Sequence, residues 1–284
     1  MTGKYRSSPD GWPQTAPMAC RAPTIDARQA SVNTSVMRLV IASLVVIFLA
    51  GCAYLRATEE PIPTRWHVSD PATGQSDTLV VFLPGIKDTH DDIFDYGAIH
   101  VLEQSGLDWD AVTVDAHIGY YRQESFLDRL EQDVFATARD RGYDRFWLTG
   151  PSLGGFGSLF YACRMQHDDI DGVIAMAPHL GGRKILTAIR DAGGPEHWSA
   201  DEDVGEEHER QLWTCLRDLP AHPEVWLAYG ERDDLAPANA MLADLLPEER
   251  VHVNDGDHLW SDWIPLWERI FADIAQRDSG RSEH

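Results

Sequence analysis

Arg145-Phe146-Trp147-Leu148-Thr149-Gly150-Pro151-Ser152-Leu153-Gly154-Gly155 is the stretch on which the fold turns. Its first five residues suit a buried strand. Gly150 to Gly154 then fits G-x-S-x-G, a pattern in which a sharp turn between strand and helix lifts the serine hydroxyl clear of a sheet. Glycines flank the serine because such a turn is strained and brings backbones close together. Ordinary Gly-rich turns also produce the pattern, so context decides its meaning. Here an apolar strand precedes it and a helix-like run, Phe156 to Met165, follows.

Outward from this turn, strand-like and helix-like segments alternate, which predicts parallel βαβ units rather than a sandwich. Thr78-Leu79-Val80-Val81-Phe82-Leu83 is a continuous apolar run ending in Pro84-Gly85, as expected of a strand buried on both faces. A helix is predicted from Asp91 to Gly106 and a strand at Ala111-Val112-Thr113-Val114. Phe126, Leu127, Leu130, Val134, Phe135 and Ala138 set a helical period over Ser125 to Arg141.

A raised serine needs an acid and a base, and both follow it. The strand Val225-Trp226-Leu227-Ala228-Tyr229 ends in Gly230-Glu231-Arg232-Asp233-Asp234-Leu235-Ala236-Pro237. An acid just past a strand end sits on the same sheet edge as the turn. Next come Arg250-Val251-His252-Val253, the loop Asn254-Asp255-Gly256-Asp257-His258, and an amphipathic run through Trp260, Trp263, Ile264, Trp267 and Ile270. A lone histidine there would cap a helix or face solvent, but its order after Ser152 and Asp233 favours a base. Ser152 is a poor nucleophile until His258 accepts its proton, and Asp233 would fix the imidazole tautomer.

From about Thr78 to Ala275 the chain resembles the α/β-hydrolase superfamily, on the Ser152 turn, the Asp233 turn and the His258 loop. The resemblance implies an α/β fold, a mostly parallel central sheet flanked by helices with a small cap insertion, in a domain spanning 65–284. It implies a Ser152, Asp233, His258 triad cleaving a carboxylic ester or thioester. An oxyanion would be held by the N–H of Leu153 and of Ile86. Members usually carry His-Gly where this chain has Pro84-Gly85, a departure that touches side-chain packing but not a backbone donor. They also place the acid three residues after a glycine such as Gly230, which favours Asp233. Asp234 then reads as the cap of the next helix. Peptidase or acyltransferase activity, or a non-catalytic scaffold that kept the fold, remain alternatives, since the fold hosts many chemistries.

Candidate pocket residues are His117, Tyr120 and Tyr121, which follow a strand, and His179, which follows the next. They could equally pack beneath loops. The insertion at about 182–219 reads as a cap. Its acidic run, Asp201-Glu202-Asp203-Val204-Gly205-Glu206-Glu207, is too polar for a greasy lipase lid and favours a soluble ester. His67, His90, His100 and His117 lack metal-ligand spacing, and neither a phosphate loop nor GxGxxG occurs, so no metal or cofactor is expected.

The net charge is −22. Five of the 24 basic and two of the 46 acidic residues lie in 1–51, leaving 19 against 44 for the remainder. Such a surface repels nucleic acid and serves solubility, with recruitment of cationic substrates the alternative. Cys163 reads as a free thiol packed as a small hydrophobe, while a disulfide with Cys215 stays open if the protein is exported.

Residues 1–36 are polar and aperiodic, expected to be disordered, and are an artefact of start choice if translation begins at Met37. Arg38 then precedes a short apolar run ending Leu49-Ala50-Gly51-Cys52, too short for a comfortable membrane span. The run resembles a bacterial lipoprotein signal peptide over 37–51, with a short anchor or buried strand as the alternative. That likeness implies a lipid on Cys52 and, from Ala53, an outer-membrane address. A polar, Pro-containing linker over 52–64 would join anchor to body.

Overall fold

Unbroken apolar runs in this chain become strands at the centre of a sheet. β2 (Thr78–Phe82) and β3 (Asp110–Val114) are buried at every residue, and β4 (Arg145–Pro151) at all but its first. With β1 (Thr64–His67), β5 (Ile170–Met176), β6 (Glu224–Gly230) and β7 (Val251–Asn254) they form a seven-stranded sheet ordered β1-β3-β2-β4-β5-β6-β7. Only β1 runs antiparallel, against β3; the other neighbours are parallel. Parallel neighbours need long crossovers, and helices supply them. This is the α/β-hydrolase fold.

The structure, a computed structural model, describes Arg38 and residues 56–69, 74–200, 206–218 and 223–281. The chain divides into two compact units, Met1–Gly51 and Cys52–His284. In the first only Arg38, helical and exposed, is described. The readings of 1–36, of the signal peptide and of Cys52 lie outside the described residues. Among those residues no helix is long and apolar enough to cross a membrane.

Three stretches differ from expectation. The helix predicted over Asp91 to Gly106 is two, α1 (Asp92–Asp95) and α2 (Ala98–Gln104), because Gly97 takes a left-handed φ of 93° between them. After α3 (Ile118–Arg122), the predicted Ser125–Arg141 helix is α4 (Phe126–Arg129) and α5 (Ala136–Asp140), joined by a π-helical stretch, Leu130–Phe135. The stretch read as a linker is tied down from Arg56 on. Arg56 pairs with Asp115, the Glu59 N–H donates to the Tyr120 hydroxyl (2.9 Å), and the Ile62 N–H to Asp133 (2.9 Å). Thr64 already belongs to β1, which the polar composition hid.

α6 (Leu153–Met165) leaves the Ser152 turn, and α7 (Arg183–Asp191) and α8 (Glu207–Arg217) lie in the 182–219 insertion. α9 (Ala236–Ala243) follows the Asp233 turn, and α10 (Trp260–Arg281) closes the fold. The free-thiol reading of Cys163 is corrected: Cys163 on α6 and Cys215 on α8 form a disulfide, Cα to Cα 6.0 Å. At a sequence separation of 52, no local pattern announces the pair. On α10, Trp267 is fully buried and its indole N–H donates to Thr149 Oγ1 (2.9 Å), fixing the last helix beneath β4.

Candidate active site

The turn between β4 and α6 holds Ser152 at φ 55°, ψ −112°, a conformation a residue with a Cβ rarely adopts. Hydrogen bonds pin it there. The Ser152 N–H donates to Met176 O (2.9 Å), and Ser152 O accepts from the N–H groups of Phe156 (3.0 Å) and His179 (3.1 Å). Gly150 and Gly154 are glycines for a measurable reason. A Cβ on either would run into the Leu83 carbonyl, where the end of β2 crosses the turn.

The Asp233 and His258 loops are built against each other in the same way. The N–H groups of Glu231 and Arg232 donate to Asn254 O and Gly256 O, 2.9 Å each. A Cβ on Gly230 would strike the Gly256 carbonyl. Asp262 of α10 accepts the Asp257 N–H (2.9 Å), anchoring the segment that ends at His258. The edge of Trp263 meets the His258 ring at 4.8 Å and 88°. These contacts bring the His258 ring to Asp233, with Nδ1 to Oδ2 2.6 Å. The Asp233 side chain is fully buried and that of His258 one-third exposed. A buried carboxylate accepts, so Nδ1 carries the proton and Nε2 is left with a lone pair.

The neighbouring carboxylates divide differently from the sequence reading. Asp233 also accepts the Leu235 N–H through Oδ1 (2.8 Å), so it orients the imidazole and braces the start of α9 at once. The N-cap of α9 is Leu235, with no side-chain cap. Asp234 is exposed, and its expected capping role is corrected.

Ser152, Leu153, Ile86, Asp233 and His258 line one cavity of about 780 Å³. Of the pocket candidates, Tyr121 and His179 also line it; His117 and Tyr120 do not, which corrects their assignment. His117 is buried and caps α3, its Nδ1 accepting the Gly119 N–H (3.1 Å). Tyr120 is buried with its hydroxyl on the segment at Glu59. The Tyr121 ring stacks on Phe126 at 4.1 Å, and burial pushes its hydroxyl pKa up. Burial within the cavity walls holds the His179 imidazole below the usual histidine range, although its side chain projects into accessible space.

Reading the sequence did not find the rest of the wall. Phe156 and Phe160 stack at 5.4 Å, and His208 of α8 meets Phe156 edge-on at 5.6 Å. The four-residue spacing of Leu153, Phe156 or Gly157, Phe160 and Arg164 along α6 was the available signal. Asp88 was missed too. It sits in the turn after Gly85, its carboxyl pKa raised by burial, with Trp260, Asp92 and His258 within electrostatic reach. Among the described residues no cluster of His, Cys, Asp and Glu has metal-binding form.

No family model matches the chain. A 2-succinyl-6-hydroxy-2,4-cyclohexadiene-1-carboxylate synthase from Pectobacterium atrosepticum is 35% identical over 78 residues, 26% of this chain. The chain thus spans only 30% of the length of that curated relative. Among solved structures, Est1E from Butyrivibrio proteoclasticus superposes with a TM-score of 0.54 at 13% identity, over 77% of this chain and 95% of that one. An S-formylglutathione hydrolase from Staphylococcus aureus gives 0.52 at 13% identity, over 78% and 100%. A ferulic acid esterase gives 0.51 at 16% identity, over 70% and 84%. These likenesses establish the fold.

Proposed function

We propose that the protein is a serine hydrolase that cleaves carboxylic esters or thioesters through an acyl-enzyme. The observation that carries this reading is the 2.6 Å His258–Asp233 pair on the same cavity as a serine held at φ 55°. Ser152 Oγ attacks the substrate carbonyl as its proton passes to His258 Nε2. Asp233 steadies the imidazolium that forms. Leu153 is the first residue of α6, where N–H groups lack partners within the helix, so its N–H is available to the oxyanion. The Ile86 N–H is the second donor in this reading. The imidazolium then protonates the leaving alcohol or thiol, and water activated by the same base releases the acid. The names of two structural neighbours, a ferulic acid esterase and an arylesterase, support the reaction class.

Labelling with a fluorophosphonate probe tests it: the full chain should label, and Ser152→Ala, folded by circular dichroism, should not. Retained labelling of Ser152→Ala would assign the nucleophile elsewhere. Activity on acyl esters of graded length then defines the acid accepted.

We further propose that the protein is exported and tethered by a lipid on Cys52 to the outer membrane. The Leu49-Ala50-Gly51-Cys52 sequence supports this, and so does a disulfide, which persists in oxidising compartments. Mature protein should partition into detergent and begin at an acylated Cys52, and Cys52→Ser should stay unprocessed. An unmodified N-terminus upstream of Cys52, found by mass spectrometry, overturns the proposal.

A further inference from the structure

Beyond the Ser152 turn, α6 sends one residue per turn into the cavity: Phe156, Phe160 and Arg164. At a rise of 1.5 Å per residue, Arg164 stands about 18 Å along the helix axis from Ser152. α8 accompanies it in the same direction, since His208 lies against Phe156 and Phe160 while Cys215 is bonded to Cys163. The cavity is therefore a trough between two helices. It is aromatic along Phe156 and Phe160, and Arg164 stands at its far end, where the disulfide joins both walls.

Several cations of this acidic chain are engaged. Arg139, Arg145, Arg217 and Arg232 each sit on carboxylates. Arg122, which also reaches the cavity, is engaged. Arg164 makes no hydrogen bond or ion pair among the described residues and is exposed. The acids of the wall are largely committed. Glu207 accepts the Gln211 amide (2.9 Å), and Glu209 accepts the N–H groups of Gly182 (2.7 Å) and Glu206 (3.0 Å). Asp233 holds His258, and the exposed Asp234 lies at the triad end; Glu124 is exposed to water.

We propose that Arg164 selects acyl groups ending in an anion, such as half-esters of dicarboxylic acids. The chain lies over Phe156 and Phe160 and the distal carboxylate meets the guanidinium, a planar fork matched to it. This rests on Ser152 acting as the hydrolytic nucleophile.

The test compares aryl half-esters of dicarboxylic acids of rising length with aryl esters of monocarboxylic acids of equal length, on the full chain at low salt. Wild type should prefer the half-ester, in kcat/KM, by about tenfold at the length that spans the trough, the scale of a charge-assisted hydrogen bond. In Arg164→Gln that ratio should fall toward one, chiefly through KM, and Arg164→Lys should restore part of it. Fluorophosphonate labelling reports separately on Ser152. A labelled wild type with no half-ester preference at any length overturns the proposal. So does an Arg164→Gln protein that loses both substrates in proportion, the pattern of a purely structural arginine at the end of α6. Loss of labelling and of both activities in wild type would instead sink the hydrolase reading.

Discussion

Asp233 bears two loads, and substitutions separate them. Oδ2 faces His258 Nδ1 at 2.6 Å and Oδ1 accepts the Leu235 N–H at 2.8 Å, both from a side chain with no exposure. In Asp233→Asn the amide keeps one oxygen for Leu235 while its NH₂ turns to the imidazole. A donor there stabilises the tautomer with the proton on Nε2, which cannot take the proton of Ser152. The expected loss in kcat is about 10⁴-fold, with stability little changed. Asp233→Ala removes the brace on α9 as well, a further cost of about 0.5–2 kcal/mol, or roughly 2–4 °C in Tm per kcal/mol for a domain of this size. Asp234→Ala removes an exposed carboxylate and should stay within about 0.5 kcal/mol and a small factor in kcat. Hydrolysis of a short neutral ester at pH 7, with urea melts of each variant, reads both quantities. An Asp233→Asn enzyme that keeps more than a tenth of wild-type kcat would refute the tautomer argument. A 10⁴-fold loss in Asp234→Ala would move the acid by one position.

Reducing the Cys163–Cys215 bond, or replacing both with serine, should cost about 4 kcal/mol, the loop-closure entropy of a 52-residue separation; denaturant titration with and without reductant measures it. Gly154→Ala drives a Cβ into the Leu83 carbonyl and should cost about 3 kcal/mol or abolish folding, with thermal melting as the readout. Burial holds His117, His179 and His252 below the usual histidine range, about 6.5 in an unfolded chain. The unfolded chain therefore binds protons first, so stability should fall as pH drops below about 6.5 and be insensitive to these groups above it. His117→Asn, which keeps a capping acceptor, should make that decline shallower in urea titrations from pH 8 to 5; an unchanged slope would remove His117 from the account.

The elements legible in sequence were those whose physics is local. Continuous apolar runs announced β2, β4 and β6 because a parallel strand covered on both faces has no polar side to show. The Ser152 turn was legible because G-x-S-x-G between an apolar strand and a helix is a local pattern, although the steric demand on its glycines comes from the distant Leu83 carbonyl. The misreadings share a different cause. Two adjacent aspartates suggest one job per residue, whereas the single buried carboxylate of Asp233 serves two partners through its two oxygens. For His117 and Tyr120, pocket and loop packing stay open in the sequence, because nothing local shows that the segment at 56–63 returns over Tyr120. The Cys163 bond leaves no local trace because its partner lies on another helix.

α6 shows how far that local physics reaches along one element. Its first turn is fixed by the collision a Cβ would make with β2, its middle by the stacking of Phe156 on Phe160, and its last turn by a bond to α8. Each constraint comes from a different neighbour, yet all are registered on one helix by the spacing of 3.6 residues per turn. A shift of one residue between Ser152 and Phe160 would rotate the aromatic wall by about 100° out of the cavity while leaving composition untouched. The depth of the cavity along α6 is therefore set by the length of that helix, and its lining by the residue that each turn presents.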